Sequence, residues 1–146
     1  MKVLENGPLL GKIKNHILKK WQSSWQSKPS EYKRTRKWFP IPNEKLSQQL
    51  IKLDRLSLGR IVQGITGFNR LMRHESKVSP EVDPTCRLCL EDDESFWHLI
   101  SECPALWKLR RDIFHWYFPP DVFEWKVYQI LKFVENPQIR ELMNGQ

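Results

Sequence analysis

The sequence predicts a mainly α-helical fold, a small helical domain organised around one cluster of metal-type ligands, and three observations predict it. Apolar residues recur three and four positions apart over most of the chain, which places them on one face of a helix. No segment alternates apolar and polar residues convincingly, as a half-buried strand would. All three cysteines and one of the four histidines fall between residues 86 and 103.

Each element follows from local pattern. Leu10, Ile13, Ile17, Trp21 and Trp25 share one helical face, with Lys12, Lys14, Lys19 and Lys20 between them. This predicts an amphipathic helix over about residues 10–27, stopped by Pro29. Residues 29–42, PSEYKRTRKWFPIP, read as a basic, proline-flanked linker with Tyr32, Trp38 and Phe39. Asn43 is a candidate N-cap, and Leu46, Leu50, Leu53, Ile61 and Ile65 give one helix that runs toward Gly59, Gly64 and Gly67. A short helix is expected near Phe68–His74, then a loop over residues 76–85 and a β-turn element at the first two cysteines. Leu106, Leu109, Ile113, Trp116 and Tyr117 predict the next helix, ended by Pro119 and Pro120. Asp121 would cap another through Phe123, Val127, Ile130, Leu131 and Val134, and Asn136-Pro137 opens a last turn. Three segments result: 1–42, a basic amphipathic helix and linker; 43–118, a helical core holding the cysteine segment 86–103; and 119–146, C-terminal helices.

The 146 residues have 40% hydrophobic and 28% charged content, the balance of a globular chain with a core. Seven tryptophans favour packed cores and stacking surfaces over disorder. No apolar run approaches the roughly 18 residues that span a bilayer, and the start MKVLENGPLLGK lacks a secretory apolar region. Three cysteines without secretion read as reduced thiols or metal ligands, and a nuclear or cytoplasmic location is expected.

Charge is unevenly spread. Residues 1–40 carry ten Lys/Arg and two acids, residues 41–80 seven and three, residues 81–103 one and seven, and residues 104–146 six and five. The N-terminal half is basic and the cysteine segment strongly acidic. The acids beside the cysteines read first as a solvated loop.

Cys86-x2-Cys89-x8-His98-x4-Cys103 is a Cys₃His set. A C-x2-C turn aims two sulfurs at one point, the usual first half of a tetrahedral zinc site, and four protein ligands make a closed, structural one. A bare C-x-x-C also suits a redox pair, although no βαβ pattern surrounds it; inert buried cysteines are the bland alternative. On a straight helix His98 and Cys103 would point roughly 140° apart. Pro104 disfavours α geometry at Cys103, so the helix should end there and let the sulfur turn back. The expected cofactor is one structural zinc ion, and the fold is a zinc knuckle within a helical domain.

These residues and their flanks resemble the far C-terminal tail of non-LTR retrotransposon polyproteins, which follows reverse transcriptase and often RNase H. Ile65-Thr66-Gly67, Cys86-x2-Cys89, Glu91–Glu94, His98-Leu99 and Glu102-Cys103-Pro104 match that pattern in order, and Trp21 and Trp25 resemble the segment linking RNase H to the tail. The resemblance covers about residues 12–112. The family histidine after Thr-Gly is Phe68 here. No paired aspartates of a reverse transcriptase and no RNase H carboxylate set is visible, so the chain is expected to be non-catalytic, with no small-molecule substrate. The resemblance implies RNA or target DNA as partner, and a neighbouring reverse transcriptase or RNase H domain.

The acidic knuckle would repel phosphates, which moves the expected nucleic-acid contacts to the basic half. Lys33, Arg34, Arg36, Lys37 and Trp38, with Lys19 and Lys20 extending the patch, combine cations with rings as single-strand binders do. The bland reading is a solvated basic loop anchored by Trp38 and Phe39. Trp107, Trp116 and Trp125 are expected in the core, and His74 and His115 as ordinary histidines. The rival function is a zinc-stapled protein-interaction domain docking a reverse transcriptase, RNase H or host protein.

Overall fold

The computed structural model describes residues 8–30, 33–41, 43–120 and 124–145. Tyr32, Asp121, Phe123 and the side chain of Arg34 lie outside the described residues. The protein is mainly helical; among the described residues its only β pairing is an isolated antiparallel bridge between Thr85 and Asp93. The chain divides into two compact units, residues 1–44 and 45–146.

The first unit holds α1 (Pro8–Gln26) and α2 (Lys33–Trp38). The predicted linker therefore contains a helix of six residues. Arg36 explains why the turn between them is held. Its Nη1 donates to the carbonyls of Lys28 (2.6 Å) and Trp25 (3.2 Å), and its Nη2 to that of Pro29 (3.2 Å). Carbonyls at a helix C-terminus lack intrahelical partners, and a cation there also meets the negative end of the dipole. Trp25 Nε1 donates to the Phe39 carbonyl at 2.6 Å, and Trp21 stacks on Trp25 with centroids 5.7 Å apart.

The second unit holds α3 (Glu44–Leu50, whose first residue borders it), α4 (Arg55–Thr66), α5 (Met72–Val78), α6 (Trp107–Phe114), α7 (Val127–Val134) and α8 (Pro137–Asn144). The single helix expected from Asn43 is two. Asp54 breaks it, because its carboxylate accepts from the N–H groups of Leu56 and Ser57, both at 3.0 Å, and caps α4. Gly67 ends α4 in the left-handed region at φ 74°. Likewise α6 stops at His115, left-handed at φ 64°, before the two prolines.

The core lies where α7 packs on α4 and α6, with α8 on α7. Ile61, Ile130, Phe133 and Ile139 are fully buried, each worth roughly 1.5–3 kcal/mol of burial. Gly64 lets the Phe96 ring approach so closely that a Cβ there would sit 2.7 Å from it. Trp116 and Trp125 join Phe114 in a ring cluster but are only half-buried, so they flank the core expected to enclose them, and Trp107 is 45% exposed. The C-terminal helices are not a separate segment: the Met143 carbonyl accepts from Arg70 N, and the Leu142 carbonyl from Arg87 Nη2, both at 3.1 Å. Long-range bonds of this kind leave no local signal.

Candidate metal centre

Two short arms bring the four predicted ligands together. In the first, Cys86 N donates to the Asp92 carbonyl (2.8 Å) and Leu90 N to the Cys86 carbonyl (2.9 Å). Leu90 sits at φ 61°, so the chain reverses after Cys89 and returns through the Thr85–Asp93 bridge. The expected β-turn element is thus present.

The second arm departs from an ordinary helix end. Residues His98–Glu102 form a π turn, in which Cys103 N donates to the His98 carbonyl at 2.7 Å. An i→i+5 bond stacks residues five apart, as an α-helix stacks residues four apart. Pro104 then opens a 3₁₀ turn, Pro104–Leu106, that leads into α6. The proline marks the break as expected; the π turn supplies the alignment.

The ligand atoms of Cys86, Cys89, His98 and Cys103 all lie within 4.8 Å of one another and could hold one metal ion. Cys86 Sγ and Cys103 Sγ are 4.0 Å apart, and Cys89 Sγ and His98 Nε2 are 3.2 Å apart. Without a metal, burial raises the Cys86 thiol above its ordinary value and pushes Cys103 up to about 12. Cys89 goes the other way: burial works against it, but backbone N–H donors from Glu91 and Asp92 and the neighbouring thiols favour its thiolate.

The surroundings orient this set. His98 Nε2 faces the Cys89 sulfur, and its buried Nδ1 has no hydrogen bond among the described residues, with the Asp92 carboxylate 3.9 Å away. Asp92, His98 and Glu102 also converge, but Glu102 accepts a bond from Trp97 Nε1 at 2.8 Å. The acidic segment is not wholly a solvated loop. Glu94 is completely buried and accepts from Met72 N (3.1 Å), Arg87 N (2.9 Å) and Arg87 Nη2 (2.7 Å). It ties the cysteine arm to α5. In the sequence it stands within an acidic run, and Arg87, the one cation of residues 81–103, is the only hint of a partner.

The residues expected to contact nucleic acid fare unevenly. Lys19 and Lys20 are exposed on α1, and Lys33 and Lys37 lie on α2, where Lys33 is exposed. Arg36 is engaged with carbonyls, and Trp38 is only 7% exposed, so its ring offers no face to a base. The aromatic anchor reading fits Trp38.

The protein is therefore a helical one with a Cys₃His cluster capable of holding a metal ion. No protein-family model, curated protein or solved structure matches this chain.

Proposed function

We propose that the chain is a non-catalytic, zinc-stabilised module that binds RNA or DNA through its cationic N-terminal unit. One observation carries the binding claim. Ten of the 24 Lys/Arg and three of the 17 Asp/Glu fall in residues 1–44, so that unit holds the whole net charge of +7. The remaining 14 and 14 cancel in residues 45–146. Lys12, Lys19, Lys20 and Lys33 are exposed within the charged unit. Phosphate backbones are attracted by such a surface.

The ion is zinc by the chemistry of its ligands. Three thiolates and an imidazole suit a soft-to-borderline tetrahedral ion. Zn–S bonds of about 2.3 Å at tetrahedral angles set sulfurs about 3.8 Å apart, close to the 4.0 Å between Cys86 and Cys103. Four protein ligands leave no open position, which favours a structural role. A bound zinc would fasten the cysteine arm to the π turn. The resemblance to a retrotransposon polyprotein tail supports this reading and suggests a reverse transcriptase or RNase H domain among its partners. No helix among the described residues is long and apolar enough to cross a membrane, and reduced thiols fit the nucleus or cytoplasm.

The test is fluorescence anisotropy of the zinc-loaded chain with single-stranded RNA and DNA across a salt series. Affinity that falls steeply with salt supports phosphate contacts; no binding at low salt overturns the reading.

A second reading, docking to another protein, is favoured by α1 itself. None of its residues is buried, and Leu9, Leu10, Ile13, Ile17 and Trp21 are exposed. Aliphatic side chains gain little from phosphates or bases and gain much from an apolar partner surface. Binding that survives high salt and is lost in Ile13→Ser/Ile17→Ser, measured with a reverse transcriptase or RNase H domain, would favour it.

A further inference from the structure

Among the described residues Arg110, on α6, is the largest fully buried side chain. A guanidinium stays charged in any protein environment, and a buried charge needs an opposite one. Five other arginines have a carboxylate partner: Arg87 with Glu94, Arg73 with Asp93, Arg60 with Glu135, Arg70 with Glu75 and Arg111 with Asp112. Arg110 has none among the described residues. Its Nε donates to the Tyr117 carbonyl at 2.7 Å and its Nη1 to the Leu99 carbonyl at 3.3 Å, while Nη2 has no hydrogen-bond partner among the described residues. The Phe118 ring lies 5.7 Å from its Cζ.

Arg110 is anchored on the π turn that begins at the ligand His98. Leu99, which accepts its Nη1, directly follows the ligand His98 inside the π turn. Burial weakens its charged form, and negative charge on Cys103, then on Glu102, offsets this only in part. Cys86 and Cys103 are themselves fully buried. Three thiolates around a divalent ion leave one net negative charge, and neutral His98 leaves that charge unbalanced. One buried cation without a carboxylate partner is thus bonded to the peptide next to a ligand of a centre with a surplus negative charge.

We infer that Arg110 is the buried counter-cation of the metal–thiolate centre, a positioning residue that sets metal affinity by charge without touching the ion. The inference rests on the metal reading proposed for the Cys₃His cluster. A planar guanidinium with two carbonyls fixing its plane is suited to this, because the carbonyls hold it in place while the thiolates supply the charge it lacks.

The experiment is competition titration of the full chain with zinc, with cobalt(II) absorption as a second readout of the ligand set. Arg110→Gln keeps donors for the two carbonyls and loses the charge; Arg110→Lys keeps the charge and loses the fork. The Gln variant should bind zinc about 10- to 100-fold more weakly, with the cobalt–thiolate bands unmoved, and the Lys variant should stay within about three-fold of the parent. In a Cys103→His background the centre is neutral, and Gln and Lys should bind alike. Equal affinities of Arg110→Gln and the parent, or an equal loss in both backgrounds, would overturn the inference. If Arg110→Gln does not fold, Arg110→Lys decides: near-parental affinity supports the role and a ten-fold loss overturns it. A parent chain without a tetrahedral cobalt–thiolate spectrum would instead refute the metal reading itself.

Discussion

The backbone N–H of Cys103 donates to the carbonyl of His98 at 2.7 Å, and this one bond closes a π turn between two ligands of the candidate metal centre. Five residues apart on an α-helix they would diverge; on a π turn they stack. Such turns are rare and concentrate at functional sites. Its weak intrinsic stability means that the ion and the turn should support each other.

Removing the metal, or one ligand, should therefore unfold the cysteine segment rather than trim an activity. Structural zinc supplies about 10–16 kcal/mol of folding free energy in small domains. Cys89→Ser, or a strong chelator, is expected to lower both helicity and melting temperature by circular dichroism. A variant with parental melting and helicity would count against a structural role.

Metal affinity should rise with pH. Burial keeps Cys103 protonated up to about 12 without metal, and Cys86 is also raised, so binding must displace those protons. Cys89, held below its ordinary value, ionises first and offers the entry ligand. The sign follows: in the loaded state the thiols' pKa values fall below their unfolded values, so the stability that metal adds is full at high pH and lost as pH falls. Zinc affinity measured from about pH 6.5 to about pH 8.5, across the range where thiols begin to ionise, should tighten throughout. A flat profile would mean that these thiols are not the ligands.

Glu94→Ala should be among the most damaging single changes. It removes the carboxylate that Arg87 and Met72 N share and leaves a cation without its partner. Breaking a buried pair from one side costs about 3–5 kcal/mol, and the side chain of Arg87 is partly exposed, which favours the lower end. Urea unfolding of the metal-loaded chain measures it. A loss well under about 1 kcal/mol would show that Glu94 is dispensable.

Gly64→Ala tests the α4 contact. The new methyl would meet the Phe96 ring at 2.7 Å, and Phe96 is buried beside Phe133, with centroids 6.0 Å apart. Overpacking of this kind costs about 1–3 kcal/mol, against a helix-propensity gain of at most about 1 kcal/mol. A net fall in melting temperature is expected, whereas Gly59→Ala, with nothing within 4 Å of its Cβ, should be neutral or stabilising.

For nucleic acid, Lys19→Ala/Lys20→Ala/Lys33→Ala should weaken single-strand binding and flatten the salt slope by about 0.7 for each phosphate that is no longer neutralised. Circular dichroism should not change. Arg36→Ala should act differently, since it uncaps the carbonyls of Trp25, Lys28 and Pro29 and lowers the stability of the first unit. Identical salt slopes for the parent and triple-lysine chains would move the phosphate-binding surface elsewhere.

What the sequence determined by itself was local. Periodicity of apolar residues announced the helices, and ligand count and spacing announced Cys86, Cys89, His98 and Cys103, because both depend on neighbours a few residues away. Pro104 marked where the helix breaks, although not that a π turn would do the aligning. The tertiary structure alone decided what each charge does. Arg36 and Lys33 are three apart in one basic run, yet one caps a helix and the other is exposed. Glu94 and Glu91 belong to one acidic run, yet one is buried and the other exposed. Arg110 and Arg111 are adjacent, and only the first is enclosed. A side chain's charge is printed in the sequence, but its free energy depends on solvent and on partners from distant segments, and those are set only when the helices pack.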